Sequence, residues 1–183
     1  MLYQREALAL DRRIDGRTMG DALREDFSGP WDLDLWIGVP ESEDDRVADM
    51  FKPREMPKFG PLNEAVKAAF LTKWASPAGR HADEWRRAQI PSTNGHATAP
   101  ALARMMAVFA NDGVLDGRAV LSPGMARRVL EERIRGRDLV LPYDVSWAAG
   151  LMRNIPNMIY GPGEETAGHS GWGGSCTFAD PES

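Results

Sequence analysis

The residues best suited to chemistry lie near the end of the chain, in Gly168-His169-Ser170-Gly171-Trp172-Gly173-Gly174-Ser175, followed at once by Cys176-Thr177-Phe178-Ala179-Asp180-Pro181. A histidine and a serine stand side by side among four glycines. Glycine has no Cβ to hold a ligand away, so this composition beside a β-prone Ser-Cys-Thr-Phe run marks a strand whose backbone something must approach closely. That is the geometry of an edge that binds an oxyanion. Such an edge works when its backbone N–H groups are held in place before negative charge develops on an attacked carbonyl.

Other chemistries fit the chain less well. Gly168-His169-Ser170-Gly171-Trp172 falls one residue short of a Gly-x-Ser-x-Gly nucleophile elbow, because Trp172 stands where the last glycine belongs and no helical pattern follows. The three histidines have no His-Glu-x-x-His spacing, which argues against a metal hydrolase, and no metal or other cofactor is expected. His81 sits in a charged segment and reads as solvated. The adjacent pairs Glu131-Glu132 and Glu164-Glu165 read as solvated faces rather than as an acid/base pair. No phosphate-cradling glycine loop is present.

Composition bounds the remaining classes. The chain has 183 residues, 43% hydrophobic and 27% charged, which suits one soluble globular domain. A net charge of −5 offers no basic surface for nucleic acid, which is excluded as an expected partner. The lone Cys176 rules out an internal disulfide or a multi-cysteine zinc site and is expected as a small buried strand residue. Apolar runs fall far short of the roughly 20 residues of a spanning helix. Met1-Leu2-Tyr3-Gln4-Arg5-Glu6 is too polar for a secretory signal. No membrane partner is expected, and a cytoplasmic location is the default expectation.

Several elements must position the glycine-rich strand. A helix is expected over Leu2 to Ile14, closed by Asp15-Gly16, and a second from a Thr18 cap through Phe27, closed by Gly29-Pro30. Trp31 to Pro40 alternates in a way that would bury Leu33, Leu35 and Ile37. Glu41 to Asp45 reads as an exposed acidic stretch, and the prolines at 53, 57 and 61 make Met50 to Pro61 a loop. Asn63 caps a short helix through Phe70, and Trp74 to Trp85 holds a short one at most. Thr98 and Pro100 open an amphipathic helix through Phe109. Val114 to Leu121 forms a small hairpin, and Ser122-Pro123 opens a helix through Ile134 that Gly136 closes. Strands are then expected at Trp147 to Leu151, Met158 to Tyr160 and Ser175 to Phe178. Helices first and strands last is an α+β order, with 1–145 mainly helical and 146–183 carrying the sheet.

His169-Ser170-Gly171 resembles the third conserved box of the serine β-lactamase and penicillin-binding-protein superfamily, in the histidine form of its class C and esterase-like branch. Arg17-Thr18 through Asp34, Ile37-Gly38-Val39-Pro40 with Arg46-Val47-Ala48, Ser92-Thr93-Asn94-Gly95-His96-Ala97-Thr98, Leu102-Ala103-Arg104 and Gly113 to Ser122 resemble further segments of that family in the same order. The resemblance implies an α+β, partial β-lactamase/DD-peptidase-like fold whose sheet is incomplete. It also implies acyl transfer through a covalent acyl-serine on a small-molecule ester or amide, with an esterase favoured over a true β-lactamase.

Within that resemblance the backbone N–H of Trp172, on the strand turned by Gly171, is one oxyanion donor. His169 stands in the place of the family's lysine, a weaker role for a side chain largely neutral near pH 7. Ser170 donates a hydrogen bond to substrate, and Asn94 and His96 line the pocket entrance. The family's reaction needs Ser-x-x-Lys, yet Lys52, Lys58, Lys67 and Lys73 are preceded three residues earlier by Asp49, Glu55, Glu64 and Phe70. Tyr3, Tyr143 and Tyr160 start no Tyr-x-Asn box. Ser92-Thr93-Asn94 fits Ser-x-Asn literally but matches the segment that follows that box. The expectation is therefore a later-half fragment, inactive by itself and prone to aggregate through an unpaired sheet edge. The alternative is a noncatalytic binding domain or dead homologue.

Overall fold

The computed structural model describes residues 12–49, 61–71, 82–155, 159–171 and 174–182. The chain divides into two compact units, 1–98 and 99–183. Among the described residues, no helix is long and apolar enough to cross a membrane.

In the first unit, helix α1 (Met19–Leu23) starts where the Thr18 hydroxyl accepts the Asp21 N–H, satisfying a donor that the first turn leaves unpaired. The chain continues as a wider π-turn over Arg24–Ser28, as the Thr18-to-Phe27 pattern anticipates. The helix expected over Leu2 to Ile14 lies outside the described residues except for a helical turn at 12–14. Strand β1 (Leu35–Ile37) buries Leu35, with Leu33 and Val39 buried on either side, while Ile37 is half-buried. Arg24 donates to the Leu33 carbonyl at 3.1 Å and stacks over the Trp36 ring at 4.2 Å, fixing the approach to the strand.

The acidic stretch is a 3₁₀ helix, Glu41–Arg46, with none of its residues buried, in keeping with the exposure expected of it. Three of its charges are paired: Arg46 meets Glu43 at 2.7 Å and Asp34 at 2.5 Å, and Arg87 meets Asp44. Helix α2 (Glu64–Phe70) is capped by the Asn63 side chain as the sequence indicates. Helix α3 (Ala82–Arg87) buries Trp85. Most of the Met50 to Pro61 loop and the first part of the Trp74 to Trp85 segment, His81 included, lie outside the described residues. Strand β2 (Gly95–Ala97) runs antiparallel to β1, with Trp36 opposite His96.

The second unit opens with α4 (Ala99–Ala110), which buries Ala101, Met106 and Val108. The expected hairpin follows as β3 (Val114–Leu115) and β4 (Arg118–Ala119). Helix α5 (Met125–Leu130) is shorter than its sequence pattern. Ile134, expected at its end, instead begins β5 (Ile134–Arg137), which pairs over four residues with β6 (Asp144–Trp147). A β-branched residue before Arg-Gly-Arg is a weak helix segment, and ladder hydrogen bonds to β6 outweigh the residual helical periodicity. The sheet therefore starts twelve residues before the expected boundary at 146.

Five antiparallel strands follow in sequence order: β5, β6, β7 (Met152–Arg153), β8 (Ala167–Ser170) and β9 (Cys176–Ala179). The expected strand at Trp147 to Leu151 turns at 148–151. Tyr160 lies in a turn, and Met158 lies outside the described residues. Val145, Met152 and Tyr160 form the buried cluster beneath this sheet, with Leu141 and Trp147 packed on it. Helical segments followed by an antiparallel sheet give the chain its α+β character.

Candidate active site

The glycine-rich segment forms β8, the turn after it and the start of β9. Gly168 is where the two strands press together. A Cβ built there would sit 2.7 Å from Phe178 Cβ and 3.0 Å from Phe178 Cα, and closer still to the Thr177 carbonyl oxygen. The obstacle is mostly backbone, so a larger residue would have to part the strands. The register is Ala167 to Ala179, Gly168 to Phe178, His169 to Thr177 and Ser170 to Cys176.

Beyond Ser170 the hairpin closes tightly. The Gly171 N–H donates to the Ser175 carbonyl at 2.6 Å, and the Gly174 N–H donates to the Gly171 carbonyl at 3.0 Å. Gly174 has φ +94°, a conformation that suits glycine far better than residues with a Cβ. Gly171 thus sets the turn, and its own N–H is engaged within the hairpin. Trp172, the expected oxyanion donor, lies outside the described residues.

His169 and Ser170 are adjacent and exposed, but they meet different neighbours. The His169 ring lies 6.2 Å from the Trp147 ring, centroid to centroid. Trp147 Nε1 donates to Asp138 Oδ2 at 3.4 Å. Asp138 Oδ1 accepts the Val140 and Leu141 N–H groups at 2.7 and 2.8 Å. Burial pushes the Asp138 carboxyl up, yet these backbone donors outweigh it and hold the group below its ordinary range. The Ser170 hydroxyl lies 3.3 Å from the Tyr160 phenol oxygen and donates to Cys176 Sγ at 3.8 Å. Tyr160 is buried with 1% exposure, and burial raises its phenol above its ordinary range. Cys176 is exposed, contrary to the buried position expected from its type. The reason is its place opposite Ser170, on the outer end of the last strand.

In the first unit, the Asn94 side chain is fully buried and holds the loop before β2. Its Oδ1 accepts the Ile90 N–H at 2.9 Å, and its Nδ2 donates to the Trp85 carbonyl at 2.8 Å and to the Ala88 carbonyl. Asn94 therefore holds backbone rather than presenting its amide at a surface. The Asn94 carbonyl meets His96 Nδ1 at 2.8 Å, and because a carbonyl only accepts, that ring nitrogen carries the proton. The imidazole is edge-on to Trp85 at 5.6 Å. Trp147, Tyr160 and Trp85 escaped sequence reasoning. Each lies away from the recognisable boxes and reaches a site residue only through folding.

Helical segments followed by an antiparallel sheet, with His169 and Ser170 on its next-to-last strand, match solved structures of penicillin-binding-protein and carboxylesterase type. A Beta-lactamase family model matches residues 8–183, and the chain belongs to that family. It is 31% identical over 188 residues to the esterase/beta-lactamase LipL of Mycobacterium tuberculosis, covering 94% of this chain and 42% of that protein. A crystal structure of a novel penicillin-binding protein homologue from Caulobacter crescentus matches with TM-score 0.89 and 60% identity, over 98% of this chain and 48% of that one. A family VIII carboxylesterase matches with TM-score 0.81 and 31% identity, over 96% of this chain and 47% of that one. The chain spans less than half the length of each of these relatives.

Proposed function

We propose that residues 1–183 supply the substrate-side strand of a serine ester hydrolase whose nucleophilic serine and partner lysine lie in polypeptide outside these residues. The observation that carries the reading is β8 itself. An exposed His169-Ser170 pair sits on a strand clamped to its neighbour through Gly168 and closed by a Gly171–Gly174 turn. Such clamping is what a preorganised oxyanion edge requires. No lysine within the sequence has a serine three residues before it, and the relatives, an esterase/beta-lactamase and a carboxylesterase among them, are more than twice as long as the matched region. In this reading the attacking serine comes from elsewhere and the Trp172 N–H takes part of the developing negative charge. His169 and Ser170 hold the substrate's oxygen atoms. The substrate is a small ester or amide, with esters preferred.

The test is hydrolysis of para-nitrophenyl acetate and butyrate by two proteins. Residues 1–183 alone should show none above a serum-albumin background. The protein expressed with its flanking coding sequence should hydrolyse both, and should lose activity when the serine of an added Ser-x-x-Lys is replaced by alanine. A flanking sequence with no such pair, and no hydrolysis by the longer protein, would instead support a noncatalytic binding domain.

A further inference from the structure

Tyr160 is the largest fully buried side chain among the described residues, and nothing in the proposed reaction uses its phenol. Its hydroxyl sits 3.3 Å from Ser170 Oγ, the one polar side chain given to it among the described residues. A buried phenol must place its single proton on an acceptor or leave a donor unsatisfied in the interior. Ser170 is exposed and has no such constraint, since water or a ligand can take its proton. The 3.3 Å contact allows either oxygen as donor, and with the Ser170 proton directed to Cys176 Sγ it is Tyr160 that donates and Ser170 Oγ that accepts. Ser170 then has its own proton to give. That proton rests on Cys176 Sγ at 3.8 Å, a weak acceptor that a carbonyl or carboxylate oxygen displaces readily. The Tyr160 ring is in turn held by Val145 and Met152 and lies 6.4 Å from the Phe178 ring, so the phenol oxygen is fixed from beneath the sheet.

We propose that Tyr160 is a positioning residue that fixes the Ser170 hydroxyl as an outward hydrogen-bond donor to a substrate carbonyl or carboxylate oxygen. The proposal rests on the reading of β8 as the substrate-side strand. Burial raises the Tyr160 phenol above its ordinary range, which keeps it protonated and able to donate throughout the neutral range.

Two measurements decide it. In residues 1–183 carrying ¹³Cζ-labelled tyrosine, Ser170→Ala should move the Tyr160 resonance and Ser170→Thr, which keeps the hydroxyl, should restore it. An unmoved resonance overturns the proposal. In the longer protein, with para-nitrophenyl butyrate as the probe, Ser170→Ala and Tyr160→Phe should each raise KM about three- to tenfold and change kcat much less. The double variant should be no worse than Ser170→Ala alone. A KM effect of Ser170→Ala without one for Tyr160→Phe, or additive effects of the two, overturns the role of Tyr160 and leaves the hydrolase reading intact. No effect of Ser170→Ala overturns the role of Tyr160 and the assignment of Ser170 to the substrate, while hydrolysis by the longer protein leaves the hydrolase reading intact. If the longer protein hydrolyses no ester, the hydrolase reading fails, and the tyrosine resonance alone decides whether Tyr160 orients Ser170.

Discussion

Gly168→Ala tests whether the clamp between β8 and β9 is what the site is built on. The new methyl group would sit 2.7 Å from Phe178 Cβ and nearer still to the Thr177 carbonyl oxygen, whereas ordinary contacts need well over 3 Å. Backbone atoms form most of the obstacle, so a rotamer change cannot relieve it and the strands must separate where four residue pairs are in register. Overpacking of this kind costs about 1–3 kcal/mol, and weakening one or two ladder hydrogen bonds adds roughly 1 kcal/mol. A loss of about 3 kcal/mol lowers the melting temperature of a chain this size by roughly 6–12 °C. Gly95→Ala is the natural comparison, because a Cβ there has nothing within 4 Å and the φ is not in the left-handed region. It should change stability by no more than about 0.5 kcal/mol. Urea unfolding and differential scanning fluorimetry of the two variants beside the parent make the measurement. A Gly168→Ala protein as stable as Gly95→Ala would refute the close approach of the strands and the site geometry that depends on it.

Asn94→Ala leaves the Ile90 N–H and the Trp85 and Ala88 carbonyls without their buried partner. It should lower unfolding free energy by at least about 3 kcal/mol in a urea titration, at roughly 1–3 kcal/mol for each of the three groups. A change below 1 kcal/mol would contradict the loop-holding role. Asp44, Asp34 and Asp26 are held below their ordinary value of 3.8 by hydrogen bonds to Arg87, Arg46 and Arg17 respectively. Their contribution is therefore complete above that value and is lost as the pH falls through the lower folded-state values. The urea midpoint should drop as the pH falls from about 4 to 2, and Asp44→Asn should flatten the drop. A parent midpoint independent of pH over that range would count against the pairings. Cys176 is exposed, so iodoacetamide should label one thiol per native chain as completely as in denaturant; a requirement for denaturant would contradict its position. Gly171→Pro removes the N–H that Ser175 accepts and should abolish any ester hydrolysis by the longer protein. Retained hydrolysis would separate the turn from the reaction.

Much of the fold is legible where local chemistry settles it. Thr18 and Asn63 each accept an N–H in the first turn of the helix they were expected to open, because a cap is a contact within three residues. Asp116-Gly117, with φ of 50° and 74°, turns the small hairpin for the same local reason. Ile134 is where locality fails: helical spacing runs through it, but pairing with Trp147, thirteen positions on, places it in a strand. The His169-Ser170-Gly171 box could be found because its residue types are unusual together. Tyr160 and Trp147 could not, since neither carries a signal until the sheet brings one to Ser170 and the other to His169. Asn94 shows the opposite outcome. A polar residue beside glycine and histidine suggests a binding loop, and its amide turns out to be enclosed by the backbone it holds.

In the proposed function, residues 1–183 contribute the oxyanion side of a serine hydrolase while the nucleophile comes from outside them. Labelling with a fluorophosphonate probe, followed by peptide mapping, addresses it directly. No stoichiometric label is expected anywhere in 1–183, and in the longer protein a single labelled serine is expected in a Ser-x-x-Lys pair beyond these residues. Stoichiometric label on Ser92 or Ser170 would contradict it.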